Sequence, residues 1–332
     1  MKKVGLGFIG LGNQGKLHLR NCAFLKNVNI IGAADISEKA LKFAKDMGVK
    51  NLYKDYENLL KRPDIDAVII SLPNFLHYEA VTKAAEYGKD IFVEKPLARS
   101  FEEGKKIISC LKKYGVRLMV GYNVRFNQTV RSIRDKIYDG FFGQVQIVEA
   151  TNVSSGPFTP QTDGTIPKPV PTWWFKKELV GGGALLDLGC HMINTLTWWF
   201  GEVADVKCWL DYLFNMEVED TAVCLLRFKN GPVGTVNVGW FSRDTMHSVK
   251  ILGTSRNMHI NLTPSNTFKL ILRDVKRKFG LHEDSYYLEI KHFVESIQND
   301  REPEPSAEEA LHDLKIISMA YKKCTNINNH VK

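Results

Sequence analysis

Asp187 and His191 stand four residues apart in the stretch Gly-Gly-Gly-Ala-Leu-Leu-Asp-Leu-Gly-Cys-His-Met-Ile-Asn, residues 181 to 194. On a helix that spacing places both side chains on one face, one turn above the other. A carboxylate beside an imidazole fixes its tautomer and keeps it titrating near neutrality, as a general acid or base requires. The same pair also fits an internal ion pair on a packed helix. Lys95 is a second candidate. It follows the apolar run Ile91-Phe92-Val93 and is pinned between Glu94 and Pro96, whose ring restricts the residue before it. A lysine held there can grip a hydroxyl and stabilise developing charge, and it can equally be a surface lysine paired with Glu94.

A third group concerns phosphate. Val4 to Ile9 is a short apolar run ending in Gly10-Leu11-Gly12-Asn13-Gln14-Gly15. In G-x-G-x-x-G the first glycine makes a turn, the second lets a pyrophosphate reach the backbone, and the third lets helix pack on strand. A helix over about Gly15 to Leu25 would aim its free N–H groups at the phosphates. A second strand, Asn29 to Ala34, ends in Asp35, where a carboxylate would accept from the adenosine ribose hydroxyls, favouring NAD over NADP. The alternative for Asp35 is a cap for the helix Ser37 to Met47.

The elements that position these groups alternate. Helix Tyr56 to Leu60, strand Ala67 to Ser71, helix His77 to Tyr87, strand Asp90 to Val93, helix Phe101 to Tyr114 and strand Arg117 to Gly121 call for a doubly wound parallel sheet of the Rossmann kind. Ligands in such sheets lie beyond the carboxyl ends of the strands. Those ends carry Gly10, Asp35, Ser71 to Asn74, Glu94 to Pro96, and Tyr122-Asn123. Beyond them, Asn127 to Asp139 reads as a helix, Val145 to Thr151 as a strand and Asn152 to Thr172 as a long loop. The helix carrying Asp187 and His191 has its apolar residues at Leu185, Leu188, Met192, Ile193 and Leu196 and stops at Gly201. Six strand-like segments follow: Val203 to Leu213, Asp220 to Phe228, Val233 to Trp240, His247 to Leu252, Met258 to Leu262 and Phe268 to Leu272. Without intervening helices they predict an antiparallel or mixed sheet in an α+β arrangement. Tyr286 to Gln298 and Ser306 to Tyr321 read as helices, the second opened by a Ser306-x-x-Glu309 capping box.

At 332 residues the chain fits two domains, and 44% hydrophobic with 25% charged residues is a globular composition. No apolar run approaches the length of a bilayer span and no cleavage site follows the start, so a cytoplasmic protein without a membrane partner is expected. Six scattered cysteines without a Cys-x-x-Cys pair indicate neither a disulfide framework nor a metal site, and Cys190 reads as packing. The net charge of +8 inclines the substrate towards an acidic or phosphorylated sugar. Its Lys and Arg residues are dispersed without interleaved aromatics, which argues against nucleic acid. Trp209, Tyr212, Phe214, Trp240 and Phe241 suit a subunit interface, giving a homodimer or homotetramer.

Gly10-x-Gly12-x-x-Gly15, Ser71-x-Pro73-Asn74-x-x-His77, Glu94-Lys95-Pro96, Tyr122-Asn123-x-Arg125-Phe126 and Gly181-Gly182-Gly183 through Asp187-x-Gly189-x-His191 occur here in order. Together they resemble the glucose-fructose oxidoreductase, inositol dehydrogenase and MocA (Gfo/Idh/MocA) family over nearly the whole chain. The resemblance implies an α/β protein with an NAD-binding Rossmann domain at 1–122. Residues 123–332 would form a substrate-binding and oligomerisation domain with an open, predominantly antiparallel sheet. It implies oxidation of a secondary hydroxyl of a sugar, cyclitol or sugar nucleotide with NAD, less readily NADP. Lys95 would hold the reacting hydroxyl, His191 would be the general base, and Asp187 would orient it or contact a neighbouring hydroxyl. Gly10, Gly12, Asn13, Gln14, Asp35, Ser71, Leu72, Asn74, His77, Glu94 and Lys95 would surround the cofactor. Asn123, Arg125, Trp173, Asp187 and His191 would meet substrate. Two positions depart from the pattern: Asn194 stands where the family often has aspartate, and Trp174 where many members have arginine. An NAD-dependent glycoside hydrolase that oxidises its sugar transiently is the alternative activity. A non-catalytic NAD-binding sensor is a further one, disfavoured by the presence of Lys95, Asp187 and His191.

Overall fold

The computed structural model describes residues 3–159, 168–169, 171–263 and 284–326. The chain forms two compact units, one of Met1–Asn127 with Thr267–Leu311 and one of Gln128–Asn266 with His312–Lys332.

The first unit is built on six parallel strands: β1 (Val4–Ile9), β2 (Val28–Ala34), β3 (Asn51–Tyr53), β4 (Ala67–Ile70), β5 (Asp90–Glu94) and β6 (Leu118–Gly121). Their spatial order, β3-β2-β1-β4-β5-β6, is that of a doubly wound dinucleotide-binding sheet. The strands β1, β4 and β6 are buried along their whole length, which is why they read as apolar runs and not as alternation. Between them lie α1 (Asn13–Cys22), α2 (Glu38–Asp46), α3 (Tyr56–Leu60), α4 (His77–Glu86) and α5 (Phe101–Tyr114). The ends of α5 match the sequence expectation because both are chemically marked. Ser100 Oγ accepts from Glu103 N at the start, and Gly115 at φ 65° closes the end. The first helix begins at Asn13 rather than Gly15, since Gly12 already serves as its cap residue. Strand β3 went unread because three residues carry no period.

A helix from late in the chain, Ser285–Gln298, completes this unit and packs beside α1. Its residues Ile290, Phe293 and Val294 recur at helical spacing and enter one core with Phe8, Leu19 and Phe92. Phe293 meets Phe92 edge-to-face with ring centroids 5.8 Å apart. Truncating such a ring to alanine costs about 3–5 kcal/mol.

The second unit begins with α6 (Gln128–Tyr138) and β7 (Val145–Val153), then the two-residue strands β8 (Phe158–Thr159) and β9 (Lys168–Pro169), which pair antiparallel within the expected long loop. After α7 (Lys177–Val180) come a π-helical turn, Leu185–Gly189, and α8 (Cys190–Phe200). The sheet then takes β10 (Val203–Asp211), β11 (Thr221–Phe228), β12 (Val233–Gly239), β13 (Met246–Gly253), β14 (Asn257–Asn261) and β15 (Cys324–Asn326). Its order is β14-β13-β7-β12-β11-β10-β15. Only β12 with β7 and β10 with β15 run parallel, so the sheet is mixed and mostly antiparallel, as expected. The expected strand at Phe268 to Leu272 lies outside the described residues. Alternation sets the two faces. On β11, Ala222, Cys224, Leu226 and Phe228 are buried, while Val223 and Leu225 are exposed.

Counting Ser285–Gln298 as α9, the last helix is α10 (Ala307–Lys322), within which the division between the units falls. Its capping box is reciprocal: Glu309 N donates to Ser306 Oγ and Ser306 N to Glu309 Oε2, at 3.3 and 2.9 Å. No helix among the described residues is long and apolar enough to cross a membrane.

Candidate active site

In the first unit the expected cofactor residues gather at the carboxyl ends of β1, β2, β4 and β5. Gly10 takes φ +86° and its N–H donates to Ala34 O at 2.9 Å. A Cβ on Gly15 would sit 2.0 Å from Gly10 O, so the helix can pack on the turn only as glycine. A Cβ on Gly12 would meet nothing within 4 Å. The backbone at the start of α1 therefore faces open space, with Asn13 and Gln14 exposed beside it, and this cradle fits a pyrophosphate.

Asp35 secures the loop from the side. Its Oδ2 accepts from Leu11 N at 2.6 Å and its Oδ1 from Ser37 N at 2.8 Å. The carboxylate thus joins the glycine turn to the start of α2, while Ser37 itself caps that helix through Ala40 N.

The loops after β4 and β5 are tied by His77. Its Nδ1 lies 2.8 Å from Pro96 O and its Nε2 2.9 Å from Leu72 O, with the ring fully buried. Burial holds its pKa below the usual histidine value despite these carbonyls. A neutral ring has one N–H, so only one carbonyl receives a proton at a time. Ser71 N donates to Ile9 O at 2.8 Å, and Asn74 opens a 3-10 turn, Asn74–Leu76. Lys95 is half-buried at the end of β5, and its peptide bond to Pro96 is cis.

Sequence reasoning missed the partners of Glu94. Glu94 Oε1 is 2.6 Å from His18 Nε2, both buried. Glu289 arrives from α9, fully buried, and its carboxyl oxygens have no hydrogen-bond partner among the described residues. The ligand-capable atoms of the three side chains lie within 4.8 Å of one another. A His–Glu contact this short is spanned by a proton, so we read a hydrogen bond between imidazole and carboxyl. Burial first, then the charge of Glu94, pushes the Glu289 carboxyl well above the usual range. Tyr286, on the same helix, is pushed up to about 12 by burial, and Gln14 hydrogen-bonds it. His18 lies three residues after Gly15, one turn into α1, the only sequence signal for this cluster.

Asn123 Nδ2 donates to Ser285 Oγ at 3.2 Å. Arg125 is 3% exposed and its Nη1 is committed to Glu309 Oε1 at 2.7 Å, at the start of α10.

In the second unit, a buried carboxylate shapes the triple-glycine turn. Glu219 Oε1 accepts from Gly183 N and Leu185 N, each at 3.0 Å, and from Tyr321 Oη at 2.8 Å. Burial raises its pKa, against these hydrogen bonds. A Cβ on Gly182 would lie 2.0 Å from Tyr321 Oη, and one on Gly183 1.9 Å from Glu219 O. At Gly183 the clash is with backbone and admits only glycine, while at Gly182 a side chain would displace the Tyr321 hydroxyl from Glu219. The chain leaves this turn into the π-helical Leu185–Gly189, a widened turn of the sort often found at functional sites, which carries Asp187.

Asp187 is half-buried and its Oδ2 accepts from Trp240 Nε1 at 3.2 Å. Trp240, expected at a subunit interface, is instead 1% exposed and belongs to this site; it directly follows β12, and its indole N–H reaches the carboxylate. Trp174 stands edge-on to Trp240 at 6.3 Å, and Trp173 stacks on Trp174 at 5.3 Å and 22°. His191 is half-buried, second in α8, and its carbonyl accepts from Thr195 Oγ1 at 2.9 Å. Asn194 is tied to a distant carboxylate: its Nδ2 donates to Asp313 Oδ2 at 2.5 Å, and Thr197 Oγ1 donates to Asp313 Oδ1 at 3.0 Å. Cys190 is buried, its thiol directed to Asp187 O.

Comparison with known proteins now has geometry to rest on. Residues 4–122 match an oxidoreductase family with an NAD-binding Rossmann fold, and residues 130–258 match the GFO/IDH/MocA C-terminal domain. Myo-inositol 2-dehydrogenase of Thermotoga maritima is 26% identical over 98% of both chains. The NAD(+)-dependent scyllo-inositol 2-dehydrogenase of Bacillus subtilis is 28% identical over 91% of this chain and 88% of its own. Among solved structures, levoglucosan dehydrogenase in complex with NADH and levoglucosan superposes with TM-score 0.81 over 97% of both chains. At 23% identity that likeness shows the fold.

Proposed function

This chain belongs to the Gfo/Idh/MocA family of NAD-binding oxidoreductases acting on CH–OH groups, and we propose that it is an NAD-preferring dehydrogenase of a sugar, cyclitol or sugar nucleotide. What supports the cofactor most directly is the open amino end of α1 above Gly12, with the Asp35 carboxylate fixed beside the same loop. Gly10, Gly12, Asn13 and Gln14 would hold the pyrophosphate, and Asp35, acidic where a 2′-phosphate would be repelled, would take the ribose hydroxyls. Ser71, Leu72, Asn74, His77, Glu94 and Lys95 would border the nicotinamide half. When bound, the nicotinamide accepts the hydride.

The chain's own residues do the rest. Lys95 holds the reacting hydroxyl, backed by the His18–Glu94 pair and by the His77 brace on its loop. His191 takes the hydroxyl proton as general base. Asp187, oriented by Trp240, contacts a neighbouring hydroxyl or steers His191. Asn123 and Trp173 add substrate contacts. Arg125 does so only indirectly, by anchoring the turn Asn123–Phe126 to Glu309. Residues 1–122 would bind NAD, and 123–332 would bind substrate and self-associate.

Self-association is supported by one sheet face. Trp209, Val223, Leu225, Val233 and Ile147 are each 38–43% exposed on it. A monomer by light scattering would count against it.

The activity is tested by screening sugars, cyclitols and nucleotide sugars with NAD for NADH absorbance. Release of free NADH in a single turnover supports the dehydrogenase. Cleavage of a nitrophenyl glycoside without net NADH would identify a hydrolase instead.

A further inference from the structure

Asp187 is the end of a row of indoles. Trp173 and Trp174 stack nearly parallel, Trp174 meets Trp240 edge-on at 76°, and Trp240 donates its Nε1–H to Asp187 Oδ2. Trp240 is buried, whereas Trp173 and Trp174 are half-buried and keep part of their surface in solvent. Such a row offers two different chemistries side by side. Indole faces carry the negative side of the ring quadrupole and attract C–H groups and cations. The carboxylate accepts hydroxyl protons. A ring with one C–H face and several hydroxyls satisfies both at once.

Charge decides among such rings. A substrate carboxylate or phosphate beside Asp187 would meet a like charge, and the indole faces would repel it as well. The basic residue just after the tryptophan turn, Lys176, is engaged by Glu217 at 2.7 Å.

We propose that Trp173, Trp174 and Trp240 form an aromatic ladder that seats the C–H face of an uncharged cyclitol or pyranose against Asp187 and discriminates against anionic sugars. This deepens the dehydrogenase reading and rests on it for turnover, while binding can be read without turnover.

The experiment uses the full chain with NAD and four probes: myo-inositol and D-glucose as uncharged rings, D-glucuronate and UDP-glucose as anions. NADH formation and tryptophan emission are both followed, in wild type, Trp174→Ala, Trp174→Phe and Trp174→Arg, with NADH affinity measured in each. The expected result is at least ten-fold higher kcat/KM for an uncharged ring. Trp174→Ala should lower it about ten-fold, through KM, and Trp174→Phe should restore most of it. Trp174→Arg should shrink the discrimination. Preference for either anion, an unchanged KM in Trp174→Ala, or an equal loss of NADH affinity in that variant would overturn the ladder. If no probe is turned over, the dehydrogenase reading loses its support and the ladder stands on emission alone. A response to an uncharged ring that Trp174→Ala abolishes would sustain it, and no response to either uncharged ring at 50 mM would end it.

Discussion

The backbone N–H of Gly183 donates to both carboxylate oxygens of Glu219, at 3.0 and 3.1 Å. With Leu185 N and Tyr321 Oη on the same carboxylate, this residue fixes the turn from which the chain enters the π-helical segment carrying Asp187. Glu219→Ala would leave buried donors unpaired, at about 1–3 kcal/mol each, and should destabilise the protein by about 3–5 kcal/mol. Glu219→Gln keeps an acceptor at the same place and should cost about 1–2 kcal/mol. Urea unfolding of both variants checks the order; equal losses would mean that the hydrogen bonds do not set the turn.

Glu289 makes stability depend on pH. Its folded pKa lies well above the ordinary value, because burial and the neighbouring Glu94 disfavour the anion. Between the unfolded value near 4.3 and the folded one, the native state binds a proton that the unfolded chain has released. Stability from this group is therefore complete below about pH 4 and is lost as pH rises through the folded pKa, at about 1.4 kcal/mol per pH unit. Glu289→Gln should flatten that slope and gain on wild type as pH rises from 5 to 8. Urea midpoints across that range that stay parallel for the two proteins would contradict it.

Asp35 should carry the choice of dinucleotide. Asp35→Ser removes the acceptor of Leu11 N together with the negative charge, so NADH binding should weaken about ten-fold and the NADH to NADPH affinity ratio should fall by more than that. Fluorescence titration with both dinucleotides measures the ratio. A ratio that does not move would show Asp35 to be only a brace for the loop.

Much of this was legible in the residues, for identifiable reasons. The Rossmann sheet announced itself because fully buried parallel strands are unbroken apolar runs bounded by glycine, as at Val4–Ile9 and Ala67–Ile70. The capping box at Ser306 and Glu309 was legible because it is local. The cluster of His18, Glu94 and Glu289 was not, since α9 brings Glu289 across nearly 200 residues of chain and no spacing rule spans that distance. Trp240 was misplaced for a related reason. An aromatic at a strand end fits an interface or a site equally well until its Nε1–H has a partner, and that partner is Asp187. Asp313, which takes the amide of Asn194, likewise belongs to a helix far along the chain.

Lys95→Met tests the lysine separately from the cofactor. It keeps an unbranched apolar stem and loses the ammonium group, so turnover should fall at least a hundred-fold while NADH still binds within about three-fold of wild type. Single-turnover absorbance and NADH titration give both numbers. Turnover that survives the change would remove Lys95 from the chemistry.

The most direct measurement of the central claim is kcat for alcohol oxidation by His191→Ala, alongside its NADH affinity. With His191 as the base that takes the hydroxyl proton, kcat should drop by about 10²–10⁴ with NADH binding unchanged, and alkaline pH should recover part of the loss as hydroxide replaces the imidazole. A His191→Ala enzyme turning over within about three-fold of wild type at neutral pH would contradict the account.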